Sequence, residues 1–402
     1  MLKNFLLVSG AVFMALSPLS RLSARVIEIR QKAELNPTVY FSGVPGNPAL
    51  TKELQTFLGV CGWFDITNNR EGANYTVTAE VSGSRVIIRL IQGKTPVAGW
   101  SFPASANSRE VAKTAVDTII ERTFEQLKVR SFCRSRIAFT AESSPGIRNV
   151  FICDIDGGNI QQITNYRSLN VEPGWSPDGR TIYFSKYNRS GISIVETTVA
   201  TPRRSRVISS SRGINTGAAV SPDGSMMAVI LSPDHQVDLY CLGLKRNERR
   251  RLTRGIAVEA SPCWSPDGQR IAFVSDRRGG NPRIFICDRN GGNLQLIPSI
   301  GKDAVTPAWS KDGKIAYATR IAGNYTIAVY NPATGENRRV VELPGNWESP
   351  EWAADNRQVV CKRTSGRDSA LYVIDTRSGK TRLLLKTNSR LYDPAWSPCA
   401  KK

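Results

Sequence analysis

Trp264-Ser265-Pro266-Asp267-Gly268 is the stretch on which the reading of this 402-residue chain turns. The same five residues recur at 175–179, and weakened copies stand at 220–224 and 309–313, then at 352–356 and 396–399. The steps between markers are 45, 44, 45, 43 and 44 residues. A fixed period of this size with strand-like content predicts one four-stranded blade per repeat, and hence a β-propeller.

Within the clearest repeat, 261–265 reads as an inner strand and Pro266-Asp267-Gly268 as a tight turn. Residues 270–275 set Ile271 and Phe273 against smaller neighbours, the alternation of a half-buried strand. A polar loop leads to an apolar third strand at 283–287. Asn290-Gly291-Gly292-Asn293 then supplies hairpin residues before an outer strand at 294–297.

The phase of the repeat predicts how the ring closes. Arg136-Ile137-Ala138-Phe139 matches Arg270-Ile271-Ala272-Phe273, so the periodic region begins on a second strand. The missing inner strand is expected at 394–397, at the far terminus. Six blades result, one of them sewn from both ends so that no edge is left unpaired. Counting along the template places Cys133 and Cys399 on the same turn of that blade. A Cys133–Cys399 disulfide is expected there in place of the missing covalent turn. Cys153, Cys241 and Cys287 occupy third-strand positions in different blades and read as small core residues. No Cys-x-x-Cys pair occurs and the only histidine is His235. No metal site and no cofactor is therefore expected. The Asp-x-Asp-Gly run at 154–157 is one acid short of a calcium loop.

Residues 1–24 have the build of a secretory signal: Lys3, an apolar core at 5–16 and a small-residue exit ending at Ala24. That core is too short to span a membrane. Export to a disulfide-permitting compartment is expected, with no membrane insertion. The chain carries a formal net charge of +20, and the leader contributes only Lys3 and Arg21. On an exported protein such a surface favours an anionic lipid, a wall polymer or an acidic protein over nucleic acid. Basic clusters fall at Arg203, Arg204 and Arg206, and at Lys245, Arg246, Arg249, Arg250 and Arg251, near turns between third and fourth strands.

Between 25 and 130 the period vanishes. A strand is expected at 38–44, a helix at 48–59 behind Asn47, and a strand pair at 74–81 and 85–92. An amphipathic helix is expected at 108–127, with Val111, Ala115, Ile119, Thr123 and Phe124 on one stripe. This makes a small α/β domain of ordinary size, followed by the propeller at 131–402. Ahead of it, Arg25-Val26-Ile27-Glu28-Ile29-Arg30 alternates. It fits either strand addition to a partner's sheet edge or packing on its own domain.

Leader, small α/β domain and six Trp-Ser-Pro-Asp-Gly repeats, in that order and across essentially the whole chain, resemble the TolB family of the Gram-negative Tol–Pal envelope system. The resemblance implies a non-enzymatic periplasmic protein, monomeric when free, that supports outer-membrane integrity and division. It implies contact with the peptidoglycan-associated lipoprotein Pal through the propeller mouth, and with the inner-membrane protein TolA through the mature N-terminus. Carried onto this sequence, the N-terminal site is Arg25, Val26, Ile27, Glu28, Ile29 and Arg30. The mouth positions are Asn170 and Glu172, Asn215 and Thr216, Glu259 and Ser261, Asp303 and Thr306, Glu348, and Tyr392 and Asp393.

Two other classes compete with this reading. A propeller-bearing serine peptidase needs a Gly-x-Ser-x-Gly elbow and a triad histidine; the sequence has no such elbow, and His235 lies inside the ring. A binding module for anionic polymer or lipid would use the basic surface, and its affinity would fall steeply with salt.

Overall fold

The computed structural model describes residues 36–129, 132–202, 204–245 and 248–398. The repeats form six four-stranded antiparallel sheets. In the fourth blade the inner strand is Glu259–Trp264, followed by Arg270–Ser275, Arg283–Asp288 and a short outer strand, Gln295–Leu296. The inner strand starts two residues earlier than its apolar pattern suggested. Its first half is polar but still pairs, with Glu259 opposite Ser275. The outer strand shrinks because it pairs on one side only, through Phe285–Leu296 and Ile286–Gln295.

The first blade is assembled from both ends, as the phase of the repeat predicts. Arg390–Trp396 lies beside Arg136–Ser144, with Trp396 opposite Ile137 and Tyr392 opposite Thr140. Ile147–Asp154 and Gln161–Gln162 complete it. The Ser397 N–H donates to the Arg136 carbonyl at 2.7 Å, and the Arg136 N–H returns a bond to Ser397 Oγ at 2.8 Å. Cys133, three residues ahead, is buried, and its backbone N–H is held by Asp117 at 2.7 Å. Cys399, its expected disulfide partner, lies outside the described residues.

The marker has a physical meaning that composition alone does not supply. Its serine hydroxyl donates to the aspartate two residues on and accepts the N–H that opens the next strand. Ser176, Ser221 and Ser265 all do this. Those bonds hold the carboxyls of Asp178, Asp223 and Asp267 below the ordinary carboxylate range, Asp223 at about 2. Gly268 closes the turn at φ +68, where a side chain would be strained. The tryptophan staples neighbouring blades. Trp175, Trp264 and Trp352 each donate the indole N–H to a carbonyl one repeat back: Ala395, Ala219 and Ala308, at 2.9–3.0 Å. Each bond contributes about 0.5–1.5 kcal/mol net. Burying the ring contributes more, so the bond mainly fixes its orientation.

The N-terminal region is a five-stranded sheet with two helices. Its strands are β1 (Thr38–Phe41), β2 (Asp65–Ile66), β3 (Tyr75–Ser82), β4 (Arg85–Gln92) and β5 (Thr95–Pro103), in the order β2-β1-β3-β4-β5. Helix α1 (Pro48–Val60) is capped by Asn47, whose side chain accepts the Leu50 N–H, and buries Leu50, Leu54, Phe57 and Leu58. Helix α2 (Ser108–Thr123) buries Val111, Ala115 and Ile119 as its stripe predicts. It stops at Thr123 rather than 127: Phe124 caps it and Glu125–Leu127 tightens into a 3-10 turn. Strand β5, which holds two prolines and a glycine, was not expected from the pattern.

This region docks on the ring face that carries the Asp-Gly turns. Trp63 donates to Asp355 at 2.9 Å, Gln358 donates to the Cys61 carbonyl at 2.7 Å, and Arg357 donates to Asn36 at 2.8 Å. Arg109 of α2 reaches Glu53, Asp154 and Asp156, and Lys113 reaches Asp154 at 2.8 Å. The Asp-x-Asp-Gly run thus receives two side-chain cations. Among the described residues no cluster fit to hold a metal ion occurs. One hydrophobic core runs from Leu54 and Ile119 to Ala353 and Trp396, so the ring and the small domain are packed as a unit.

Candidate functional site

In each blade the connection into the inner strand and the hairpin joining second and third strands lie at the end opposite the Asp-Gly turns. Six pairs of such loops form the mouth of the central channel. Three residues ahead of every marker, at Glu172, Gly217, Ser261, Thr306, Ser349 and Asp393, the backbone turns left-handed, with φ between 47° and 66°. At the same place each inner strand slips register against its neighbour. The left-handed residue interrupts the ladder as a β-bulge does, freeing groups on the axial edge. All six inner strands share it, although only Gly217 adopts it without cost.

The expected mouth residues do converge here, and most are engaged by the protein itself. Glu172 accepts from Ser185 Oγ at 3.1 Å and from the Gly217 N–H of the next blade at 3.0 Å. The Asp393 carboxylate accepts the Glu172 N–H at 3.4 Å. These two acids therefore bridge three successive inner strands. Glu172 is open to solvent, yet protein surrounds it. Enclosure raises its pKa, helped by the nearby Asp393 charge, and Asp393 is raised by burial too.

Glu259 is buried against Arg277, Asp303 pairs with Arg320 at 3.0 Å, and Glu348 pairs with Lys362 at 2.7 Å. Burial raises the Glu259 carboxyl, and Ser275 and Arg277 pull it back. Asn170 is fully buried and ties its amide to the carbonyls of Arg148 and Ser168. Asn215, also buried, accepts from Ser209 and donates to Ser211. Tyr392 donates to Glu142 at 3.1 Å beneath the Arg148 guanidinium. Thr216, Ser261 and Thr306 are half-buried, and the Thr306 hydroxyl is enclosed without a hydrogen-bond partner.

Two lining residues were missed. Ser349, not Glu348, shares the left-handed position, and counting three back from Trp352 would have found it. Glu351 stands next to Trp352 on the inner strand of the sixth blade, where relatives by repeat are alanine, glycine or Cys263. Its charge reaches Cys263 two blades away, and enclosure raises its carboxyl to about 7.

The remaining sequence-marked features lie elsewhere. Arg25, Val26, Ile27, Glu28, Ile29 and Arg30 lie outside the described residues, as do Arg203 and Arg246. Arg206 pairs with Glu196 and Arg251 with Asp234 and Asp238, so part of each basic cluster is neutralised in place. Cys153, Cys241 and Cys287 are buried free thiols, Cys241 and Cys287 within one cluster between two blades. Among the described residues no helix is long and apolar enough to cross a membrane.

Comparison with known proteins agrees with this architecture. The family model described as the TolB beta propeller domain matches residues 124–400. A TolB homolog of Chlorobium luteolum is 32% identical over 272 residues, which is 67% of this chain and 61% of that protein. The Tol-Pal system protein TolB of Helicobacter pylori is 27% identical over 244 residues, 55% of this chain and 57% of its own length. The match thus spans about three fifths of each relative. The crystal structure of TolB from Acinetobacter baumannii superposes with a TM-score of 0.80 at 22% identity, covering 90% of this chain and 97% of that one. With its ring of six blades, closing strand and matched repeats, the chain belongs to the TolB family.

Proposed function

We propose that this chain is a non-catalytic periplasmic scaffold of a Tol–Pal system. Its propeller mouth receives a Pal-like peptidoglycan-associated lipoprotein, and its N-terminal segment 25–30 engages a TolA-like inner-membrane protein. The observation that carries the reading is the division of the molecule into two ends. The turn face is occupied by the small domain through Trp63, Arg109 and Arg357. The opposite end is a ring of loops around a polar channel. Loops held by a rigid scaffold are where recognition concentrates. Family membership and the Tol-Pal name of the Helicobacter relative support the system, and on this reading the two sites are coupled, so that one partner alters the affinity for the other.

The test is calorimetry of residues 25–402 with the periplasmic domain of the same organism's Pal-like lipoprotein, at low and physiological salt. One-to-one binding that persists at physiological salt supports the scaffold. Absence of binding, or binding that vanishes with salt, favours the reading as a module for anionic polymer or lipid. Repeating the titration without residues 25–34 tests coupling, which fails if the affinity is the same. Substituting Glu172 or Glu259 is a poor probe of the contact itself, because each holds the ring's own donors.

A further inference from the structure

Three consecutive loops of the mouth hold aliphatic side chains out into solvent. Ile256 is 99% exposed, Val258 51%, Ile300 37% and Leu343 45%. They belong to the connections 252–258, 297–303 and 340–345, which lead into the inner strands of the fourth, fifth and sixth blades. Those blades are neighbours in the ring, so the four side chains follow one half of the rim. The corresponding loops of the other half, 163–169, 210–214 and 387–389, contain no exposed large aliphatic residue.

For three of the four, this exposure is built into the fold. The Val258 N–H is held by Asp276 at 2.9 Å, and the Ile300 N–H by the Tyr317 hydroxyl at 3.2 Å. The Leu343 carbonyl accepts the Trp347 indole N–H at 3.0 Å. Each backbone is fixed while the side chain is left uncovered, an arrangement that lowers the ordering cost of binding.

The charge around the arc is mainly positive. Among its acids Glu259 pairs with Arg277, Asp303 with Arg320, Glu348 with Lys362 and Glu342 with Arg339, while Asp276 holds the Val258 N–H. Arg254, Arg278, Lys302 and Arg367, on the same loops or on the adjoining hairpins, are exposed and have no carboxylate partner among the described residues. A surface that combines fixed aliphatics with unmatched cations is complementary to carboxylates flanking an apolar contact.

We propose that this arc is the docking surface for an acidic protein, bound to one side of the axis through aliphatic contacts rather than plugged into the channel. It rests on the reading above that the mouth receives a protein. A bilayer is the poorer fit. Of the four only Ile256 is fully exposed, and Val258, Ile300 and Leu343 are about half exposed or less, which leaves little apolar area to bury among lipids.

The test is calorimetry with the Pal-like periplasmic domain, comparing the intact chain with Ile256→Asp, with Arg254→Glu/Lys302→Glu, and with Arg212→Glu on the opposite half-rim. All four altered positions are exposed, and thermal melts verify that folding is retained. The arc predicts a loss of about tenfold or more for Ile256→Asp and for the double reversal, and less than about twofold for Arg212→Glu. Equal losses for all three variants, or none, overturn the arc while leaving the scaffold reading intact. No binding by the unaltered chain overturns both. Cosedimentation with phosphatidylglycerol vesicles that Ile256→Asp abolishes, together with Pal-domain binding indifferent to that change, reassigns the arc to lipid.

Discussion

A single carboxyl shows how a propeller channel changes the chemistry of its lining. Glu351 has neither an ion pair nor a hydrogen-bond donor among the described residues, and enclosure alone raises its pKa from 4.5 to about 7. Because the folded value lies above the unfolded one, the fold favours the protonated form. That contribution is complete below pH 4.5 and is lost as pH rises through 7. Glu351→Gln should therefore stabilise the protein above pH 7, by about 1–2 kcal/mol once the partial access of solvent is discounted. The gain should disappear below pH 4.5, and urea midpoints across that range are the check. A gain that persists at pH 4 points to packing rather than ionisation. The same residue marks a limit of pattern reading: a glutamate beside a tryptophan marker looks like an outward strand residue until closure of the ring turns it toward the axis.

At the scale of elements, local periodicity made most of the strands and both helices legible, because each buries one face and the repeat supplied six readings of the same unit. What it left out has physical causes. Strand β5 is built on Pro96, Gly99 and Pro103, whose weak strand preference is overridden by pairing with β4. The left-handed residue three before each marker has no residue-type signature, because Glu, Gly, Ser, Thr and Asp all occupy it. The mouth set is what the family resemblance implies, and sequence could not show that its acids are matched within the protein. The docking of α2 was equally hidden. Arg109 and Lys113 sit on a helix face that reads as solvated, yet they meet the nearly inaccessible Asp154 at 2.8 Å. Arg109→Ala leaves Asp154 and Asp156 without their shared guanidinium, and breaking a pair of this kind costs about 2–4 kcal/mol. It should separate the melting of the small domain from that of the ring, giving two calorimetric transitions where the intact chain gives one. A single transition at an unchanged midpoint would show that the shared core, not the ion pairs, holds the junction.

For the whole molecule the decisive event is the meeting of the chain's two distant parts in the first blade. The pairing of Arg390–Trp396 with Arg136–Ser144 encloses the ring, so every blade depends on a contact between residues some 260 positions apart, as the Trp396–Ser135 and Ser397–Arg136 bonds record. Closing so long a loop is entropically expensive, and a few hydrogen bonds offset little of that. A covalent link at the same turn changes the balance, because it removes loop entropy from the unfolded chain. The Ser397 bonds bring the chain to within two residues of Cys399 on one side and three of Cys133 on the other. On this ground we expect the Cys133–Cys399 disulfide in protein exported through an oxidising compartment. Non-reducing peptide mapping should recover the two cysteines in one linked fragment. Cys399→Ser should lower stability by about 2–5 kcal/mol in the absence of reductant and by nothing in its presence. If the mapping finds both thiols alkylated in the exported protein, the ring is closed by strand pairing and the Trp396 staple alone. The terminal strand would then be the first element to detach on heating, and hydrogen exchange in Leu391 and Trp396 would lead that of the other inner strands.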